Sequence, residues 1–271
     1  MKVAGFDSMS EERLFRVAGV DGCEGGWFVA IVSPAKAGPK LSPPRSGAAE
    51  NISAKILCPL HLDRFGVAAD FAEVLSQTAD CELICVDIPI GLSDKKPRRC
   101  DILARKILRG KAPSVFPAPV RPCLSAGDYR SACRISLEHC GKKLSRQSFL
   151  LLNKIEQVDD SMTRQLQQRV RETHPEICFW ALNNRKPTQH KKQKLIGRTE
   201  RVKLLSPVFS NPAQIVADAR KPGKAAPDDV LDALAAAGWV RGSAVTLPHN
   251  PELDSKGLRM EIICPVDSEV S

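Results

Sequence analysis

Apolar residues in the first third of this chain occur in short runs and at helical spacing, a pattern typical of α/β proteins. Strands are predicted over Arg16 to Cys23, Trp27 to Val32 and Ile52 to Cys58, with a flexible excursion rich in Pro, Gly and Ser between the second and the third. A helix is predicted over Val67 to Gln77. The nearly continuous apolar run Leu83 to Ile88 indicates a central strand covered on both faces. The predicted order is therefore three strands, a helix and a buried strand.

The middle of the chain, residues 92–172, has the least regular pattern. Its start is rich in arginine and lysine, and a basic helix is predicted over Cys100 to Leu108. Further helical pieces are predicted over Leu150 to Val158 and over Met162 to Val170. We therefore expect a large, basic helical insertion after the fourth strand.

The C-terminal part returns to recognisable elements. Glu176 to Trp180 is predicted as the next strand, and the strongly basic segment Lys186 to Lys203 as a loop followed by a helix. Pro227 is predicted to open a long final helix, in which the small residues Ala233 to Ala237 allow close packing on a sheet. Arg259 to Cys264 is predicted as a last edge strand.

Composition and charge limit the class of protein. The chain has 271 residues, of which 43% are hydrophobic, enough for one substantial core. We expect a single domain over residues 16–265, preceded by a poorly ordered tail over residues 1–15. The net charge of +9 favours a polyanionic partner such as nucleic acid, although a merely solvated basic surface has the same charge.

Membrane and secretory classes are not indicated. No apolar run approaches the roughly 20 residues needed to span a bilayer, and the polar N-terminal segment has no apolar signal core. We therefore expect a cytoplasmic protein without a membrane partner. Ten cysteines are many for this length. Those from Cys100 to Cys140 are either a zinc site or, in the simpler interpretation, reduced thiols.

Three separate acidic segments are the main chemical signal. Asp21 and Asp87 each end an apolar β run, where loops open to solvent. Asp229 and Asp232 lie three apart in the final helix and therefore share one face. Carboxylates that converged from two strands and a helix would repel one another unless a cation lay between them, and hard oxygen ligands suit Mg²⁺ or Mn²⁺. The alternative is that these residues are ordinary turn, strand-end and helix-cap residues.

The order of the elements and several short motifs resemble known proteins. Three strands, then helix, strand, strand and a terminal acidic helix is the order of the ribonuclease H-like fold. Val20-Asp21-Gly22 resembles the first-strand aspartate of that fold, and Asp229 to Ala235 resembles the acidic last-helix motif of its RuvC-type resolvase branch. In more detail the chain resembles the uncharacterised DUF429 family, described as predicted ribonuclease H-like nucleases. The matching pieces are Gly19 to Cys23 with Gly26-Trp27, Asp87 to Leu92, Arg99 to Asp101 with Ala104-Arg105, Ser114 to Phe116, Lys154-Ile155 with Val158-Asp159, Glu172 to Glu176, Gly197 with Arg201, and Asp228 to Ala237.

The resemblance implies an architecture and a site. The fold would be a mixed five-stranded sheet in the order 3-2-1-4-5, flanked by helices, with the helical insertion at about residues 92–172. The first and fourth strands would be adjacent and parallel, so that Asp21 and Asp87 emerge at the same edge. The implied activity is that of a nuclease with two Mg²⁺ or Mn²⁺ ions, held by Asp21, Asp87, Asp229 and Asp232.

Other residues are candidates for supporting roles. Glu176 is a possible additional metal ligand and His174 a possible proton shuttle or substrate contact, although the two equally suit a hydrogen-bonding pair at a strand start. Basic side chains are candidates for phosphate or substrate contacts. These are Arg99, Arg105, Arg121, Lys194, Arg198 and Arg201.

Two other functions are compatible with the same residues. One is a non-catalytic protein that keeps the fold and binds DNA or RNA. The other is a phosphotransferase related to actin and the sugar kinases. Against the latter, the chain shows no duplicated half and no clear phosphate-binding glycine loop beyond Asp21 to Gly26.

Overall fold

A mixed five-stranded sheet forms the centre of the protein. The computed structural model describes residues 15–35, 59–219, 225–238 and 244–264. The strands of the sheet are β1 (Val17–Cys23), β2 (Gly26–Pro34), β3 (Leu60–Ala68), β4 (Leu83–Val86) and β5 (Val170–Glu172). Their order is β3-β2-β1-β4-β5. β1 pairs antiparallel with β2 and parallel with β4, while β4 is parallel to β5. The predicted fold class and strand order are confirmed.

Helices cover both faces of this sheet. In chain order they are α1 (Phe71–Gln77), α2 (Arg99–Leu108), α3 (Tyr129–Cys140), α4 (Arg146–Leu150), α5 (Leu152–Ser161), α6 (Pro175–Leu182), α7 (Leu195–Leu205), α8 (Pro212–Ala219) and α9 (Pro227–Gly238). On one face, β-strand residues such as Phe28 and Cys85 pack with α6 and α9. On the other, residues such as Trp27 and Ile84 pack with α1 and α5. This arrangement explains the continuous apolar pattern of the central strands.

The final helix packs directly on β1. A Cβ atom at Gly19 would lie 1.9 Å from the carbonyl oxygen of Ala233 and 2.7 Å from the amide nitrogen of Ala237. Only glycine on the strand, opposite alanine on the helix, permits this approach. The close packing fixes the position of α9, and with it the position of its acidic residues, relative to the end of β1.

Several predicted elements differ from the structure, and one lies outside the described residues. The strand predicted over Ile52 to Cys58 lies outside the described residues, and the observed third strand is Leu60–Ala68. The helix predicted from Val67 begins only at Phe71, where Asp70 caps it by accepting a hydrogen bond from the Glu73 amide. Leu150 to Val158 is helical as predicted, but Leu151 separates α4 from α5.

The strand predicted over Glu176 to Trp180 is wrong, because this segment lies in helix α6. His174 caps α6 and Pro175 occupies its first turn, both of which favour a helix start. The fifth strand is instead Val170–Glu172, at the end of the segment predicted as helix from Met162. A three-residue strand is too short to show a period, so its parallel pairing with β4 decides the structure.

The C-terminal edge strand is also corrected. Only Ile262–Cys264 of the predicted range forms a strand, β7, and it pairs with β6 (Val245–Leu247) in a separate two-stranded sheet. Within the described residues, no helix is both long enough and apolar enough to cross a membrane.

Candidate acidic site and adjoining cavity

Three predicted aspartates come together at one edge of the sheet. Asp21 lies near the end of β1, and Asp87 directly follows the neighbouring parallel strand β4. The amide of Asp87 donates a 3.0 Å hydrogen bond to the carbonyl of Val20, which continues the pairing to this point. Asp232 approaches from α9, where it is 3% exposed in an otherwise apolar stretch of helix. The expected adjacency of the two strand aspartates is therefore present.

The three carboxyl groups lie within one another's electrostatic field. Burial raises the pKa of Asp21 well above its usual range, and repulsion from Asp87 and Asp232 adds to the effect. Burial also raises the pKa of Asp87. The pKa of Asp232 is raised to about 6, mainly by burial, with repulsion from Asp87 contributing and Lys192 opposing. Asp21, Asp87 and Asp232, called the acidic group from here on, repel one another, and a cation bound among them would relieve this repulsion.

Asp229 lies apart from these three in its hydrogen bonding. Its Oδ2 accepts a 2.9 Å hydrogen bond from the amide of Ala226, at the start of α9. Burial raises its pKa, and it adds to the repulsion felt by Asp21. The carboxylate that caps the start of α9 is therefore that of Asp229.

Lys192 is a positively charged residue in contact with the acidic group. Its Nζ lies 2.5 Å from Oδ2 of Asp232, and the side chains are 33% and 4% exposed. Burial works to lower the pKa of Lys192, but Asp232, Asp21 and Asp87 together raise it above the ordinary lysine range. Sequence reasoning did not single out this residue. Only its place in the basic segment Lys186 to Lys203 could have drawn attention to it.

The loop that carries Lys192 is held firmly in place. Two consecutive amides, of Gln189 and His190, donate hydrogen bonds of 2.7 and 3.0 Å to the carboxylate of Glu200 on α7. The loop also packs tightly on the first turn of that helix, where a Cβ at Gly197 would lie 2.1 Å from the carbonyl oxygen of Lys191. Lys192 is thus presented to Asp232 by a braced loop.

Lys154 is a second lysine whose charge acts on Asp21. Its Nζ donates a 2.5 Å hydrogen bond to the carbonyl of Gly26 and lies 4.9 Å from the ring centroid of Trp27. Burial lowers its pKa, while Cys23, Asp21 and Asp229 oppose that effect. The sequence indicated Lys154 only as part of a family motif, without a role.

The donor chemistry of this site suits a hard divalent cation, because the carboxyl groups of Asp21, Asp87 and Asp232 lie near enough to repel one another. As the side chains stand, however, no group of three or more His, Cys, Asp or Glu residues in the described part of the chain is arranged to hold a metal ion. Lys192 is paired with one of the oxygens that a metal would need. A metal ion that bound this oxygen would have to displace Lys192 from it.

The same finding bears on the cysteines. No zinc-type group is present among the described residues. Cys100 packs against α6 and the small sheet, whereas Cys123 lies in a different apolar cluster together with Cys133 and Cys140. The cysteines of the described ranges are free thiols, so the Cys100 to Cys140 region is not arranged as a zinc site there.

An open cavity of about 250 Å³ adjoins the acidic group. Asp87, Asp232, Lys111, Lys191 and Lys192 are among the residues that line it. The wall of the cavity therefore carries charged side chains of both signs. The lysines would attract an anionic ligand, and the aspartates would attract a cation bound to that ligand.

His174 and Glu176 also line this cavity, but both side chains are engaged. His174 Nδ1 accepts a 3.3 Å hydrogen bond from the amide of Glu176, which places the proton on Nε2, 3.3 Å from the carbonyl oxygen of Ser114. Glu176 forms an ion pair with Arg201 and accepts a 3.0 Å hydrogen bond from Thr188. In this arrangement both residues position the surrounding loops.

The six predicted basic contact residues do not line the cavity. Arg201 is fully buried beside Glu176, and Arg121 pairs with Asp159 and Asp254. Their guanidinium groups therefore serve the interior of the protein. The others differ in exposure. Arg99 and Lys194 are exposed, Arg198 is half-buried, and Arg105 is half-buried and donates to the carbonyl of Val115.

Comparison with known proteins identifies a family but no characterised relative. The family described as "Protein of unknown function (DUF429)" matches residues 19–253. Neither a curated protein nor a solved structure gives a significant match.

Proposed function

Because the chain belongs to the DUF429 family, whose function is unknown, we propose its activity from the site itself: a metal-dependent nuclease that hydrolyses phosphodiester bonds in nucleic acid. One observation carries the proposal. Asp21, Asp87 and Asp232 converge from two strands and a helix, and two of them are more than nine-tenths buried. Asp87 and Asp232 line the adjoining cavity together with Lys111, Lys191 and Lys192. We propose a cytoplasmic location with it, since free thiols are stable there.

The residues that would hold Mg²⁺ or Mn²⁺ are Asp21, Asp87 and Asp232, with Asp229 available once it leaves the Ala226 amide. When bound, one or two such ions would lower the pKa of a water molecule and stabilise the leaving oxygen. With Asp232 bound to metal, Lys192 would need another negatively charged partner.

The remaining steps belong to the chain itself. Lys111 and Lys191 bind the phosphates that flank the scissile bond, since both line the cavity. Lys192, released from Asp232, turns its ammonium group towards the same phosphates and neutralises charge at the reacting phosphorus. His174 keeps its Nε2 proton directed at Ser114 and holds the cavity wall.

A second function rests on a specific observation. The ion pair between Lys192 and Asp232 neutralises part of the acidic group without any metal. A non-catalytic protein that binds nucleic acid through its lysines would therefore not need a metal ion at this site. The phosphotransferase alternative gains no comparable support, because the described residues form one five-stranded sheet of this kind rather than two related halves.

The nuclease proposal is tested by incubating purified protein with end-labelled single-stranded and duplex DNA and RNA, in Mg²⁺, in Mn²⁺ and in EDTA. We expect cleavage that requires metal and is lost in Asp21→Asn, which keeps the side-chain shape and removes the charge. Asp228→Asn, on the first turn of α9, is the matched control and should cleave normally. Metal-independent cleavage, equal cleavage by Asp21→Asn, or no cleavage of any substrate would refute the proposal.

A further inference from the structure

An aromatic ring lines the cavity beside the acidic group. Phe116 is half-buried and forms part of the cavity wall. Among the ring–ring and cation–ring contacts of the described residues, none involves Phe116. By contrast Trp27, Phe28 and Tyr129 each contact a neighbouring ring. Phe116 is therefore a partly exposed aromatic side chain on the cavity wall, with no aromatic ring or cation of the described residues stacked on it.

The chain before Phe116 is held by several hydrogen bonds. Ser114 Oγ donates a 2.7 Å bond to the carbonyl of Lys111, and the Ser114 carbonyl lies 3.3 Å from Nε2 of His174. Arg105 donates to the carbonyl of Val115. These contacts connect the segment to α2 and to the start of α6.

The chain after Phe116 is held equally well. Ser148 Oγ donates a 3.3 Å bond to the carbonyl of Pro117, and the amide of Ala118 donates a 2.8 Å bond to Oδ2 of Asp101. Asp101 is itself fixed by Arg98 in a buried ion pair. Since both sides of the segment are anchored, the backbone at Phe116 is fixed, which lowers the entropy cost of ordering this wall around a ligand.

The walls of the cavity combine three kinds of chemistry. Phe116 offers an aromatic ring, Lys111 and Lys191 offer positive charge, and Asp87 and Asp232 offer negative charge. The volume of about 250 Å³ is below the roughly 300 Å³ of the smallest small-molecule pockets. Because the cavity is open to solvent, a ligand such as a single nucleotide unit would be only partly enclosed in it. A base stacks on any aromatic ring, whatever its sequence, and its phosphate pairs with lysine.

We propose that this cavity binds one unpaired nucleotide of a single-stranded nucleic acid, with its base stacked on Phe116 and its phosphate held by Lys111 and Lys191. The inference rests on the proposed function and names its substrate class. Within a duplex both faces of a base are covered by neighbouring base pairs, so that a paired base has no face left for Phe116. The structure thus predicts a preference for single strands over duplexes.

The test measures binding without metal, so that it is independent of cleavage. Fluorescence anisotropy in EDTA would give the affinity of a labelled ten-nucleotide thymidine strand, of the same strand with abasic sites, and of a duplex. Phe116→Leu keeps an apolar side chain and removes the aromatic face, and Phe116→Trp restores one. Phe149→Leu is the control, since Phe149 packs on Tyr129 and does not line the cavity.

We expect wild type to bind the thymidine strand more tightly than the duplex. Phe116→Leu should weaken binding of that strand by about 10-fold, within the range for loss of one stacked base, and leave binding of the abasic strand unchanged. Phe116→Trp should bind like wild type, and Phe149→Leu should not weaken binding. Circular dichroism and melting curves establish that each variant is folded.

Several results would overturn the inference. They are no binding of the thymidine strand by wild type, unchanged binding by folded Phe116→Leu, and an equal loss for the normal and abasic strands. The outcome is separable from that of the nuclease test. Stacking-dependent binding without cleavage would leave this inference standing and refute the nuclease proposal, and cleavage without any effect of Phe116 would do the reverse.

Discussion

Replacing Lys192 by methionine removes the cation that is paired with the buried Asp232 and preserves most of the side-chain volume. Without metal, Asp232 must then either keep a buried charge without a partner or take up a proton. Both alternatives destabilise the native state near neutral pH, since the pKa of Asp232 is already raised to about 6 with Lys192 present and rises further without it.

The magnitude follows from the burial of the pair. Removing one partner of a buried ion pair costs about 3–5 kcal/mol. The lower end applies here, because the Lys192 side chain is 33% exposed and Asp232 can become protonated. A loss of about 3 kcal/mol lowers the melting temperature of a domain of this size by roughly 6–12 °C.

Divalent metal should reverse this loss. If the acidic group binds Mn²⁺ in the native state only, an ion concentration of 100 times Kd stabilises the protein by about 2.7 kcal/mol. The gain should be larger in Lys192→Met than in wild type, because no lysine competes for Asp232. Calorimetric melting at pH 7.5, in EDTA and in a series of Mn²⁺ concentrations, measures both effects.

Lys194→Met is the matched control, since Lys194 is exposed on the same loop. Its stability should stay within about 0.5 kcal/mol of wild type. The reasoning is refuted if Lys192→Met is as stable as wild type in EDTA, or if it is destabilised but does not respond to millimolar Mn²⁺. The first result would mean that the ion pair is unimportant, and the second that the acidic group is not a metal site.

Three further predictions concern pH, salt and the loop. Without metal, the free energy of unfolding should fall as pH rises from about 4 to about 6, because native Asp232 keeps its proton up to a pKa of about 6 while unfolded carboxyl groups lose theirs near 3.9. Urea titrations should show a shallower fall in Asp232→Asn. An identical fall in the two proteins would contradict the assignment. For each tenfold rise in salt, the log of the duplex affinity should fall by about 0.9 per phosphate neutralised. Lys191→Ala should reduce that slope more than Arg99→Ala does, because Arg99 does not line the cavity. Equal slopes in the two variants would show that Lys191 is not part of the interface. Gly197→Ala should lower the melting temperature, because its Cβ would meet the Lys191 carbonyl at 2.1 Å, whereas Gly110→Ala meets nothing within 4 Å; equal melting temperatures would show that the loop is not braced there.

The parts of the fold that sequence predicts well are those with a strong local signal. The apolar runs of β1, β2 and β4 identify them as strands, and the alanines of α9 indicate close packing on a sheet. The proximity of Asp21 and Asp87 is predictable because parallel neighbouring strands end at the same edge of a sheet. The error at Glu176 to Trp180 arises from a short apolar run, which suits a strand or a buried helix until the caps at His174 and Pro175 are considered.

The parts of the site that sequence misses depend on contacts between distant segments. Lys192 is one of several lysines in a basic run, and only the packing of Gly197 and the hydrogen bonds to Glu200 direct it to Asp232. The interior positions of Arg121 and Arg201 depend on acidic partners far along the chain or on another helix. Charge pattern alone does not distinguish such arginines from surface ones.

Diffraction at the manganese absorption edge is the most direct test of the central claim, that the acidic group acts through bound divalent metal. Crystals of the protein with Mn²⁺ and a phosphorothioate single strand should show anomalous peaks bounded by Asp21, Asp87 and Asp232. The Nζ of Lys192 should then lie beyond hydrogen-bonding distance of Asp232, towards a phosphate of the strand. A strand lying in the cavity, with Lys192 still paired to Asp232 and no anomalous peak at these carboxylates, would contradict the account.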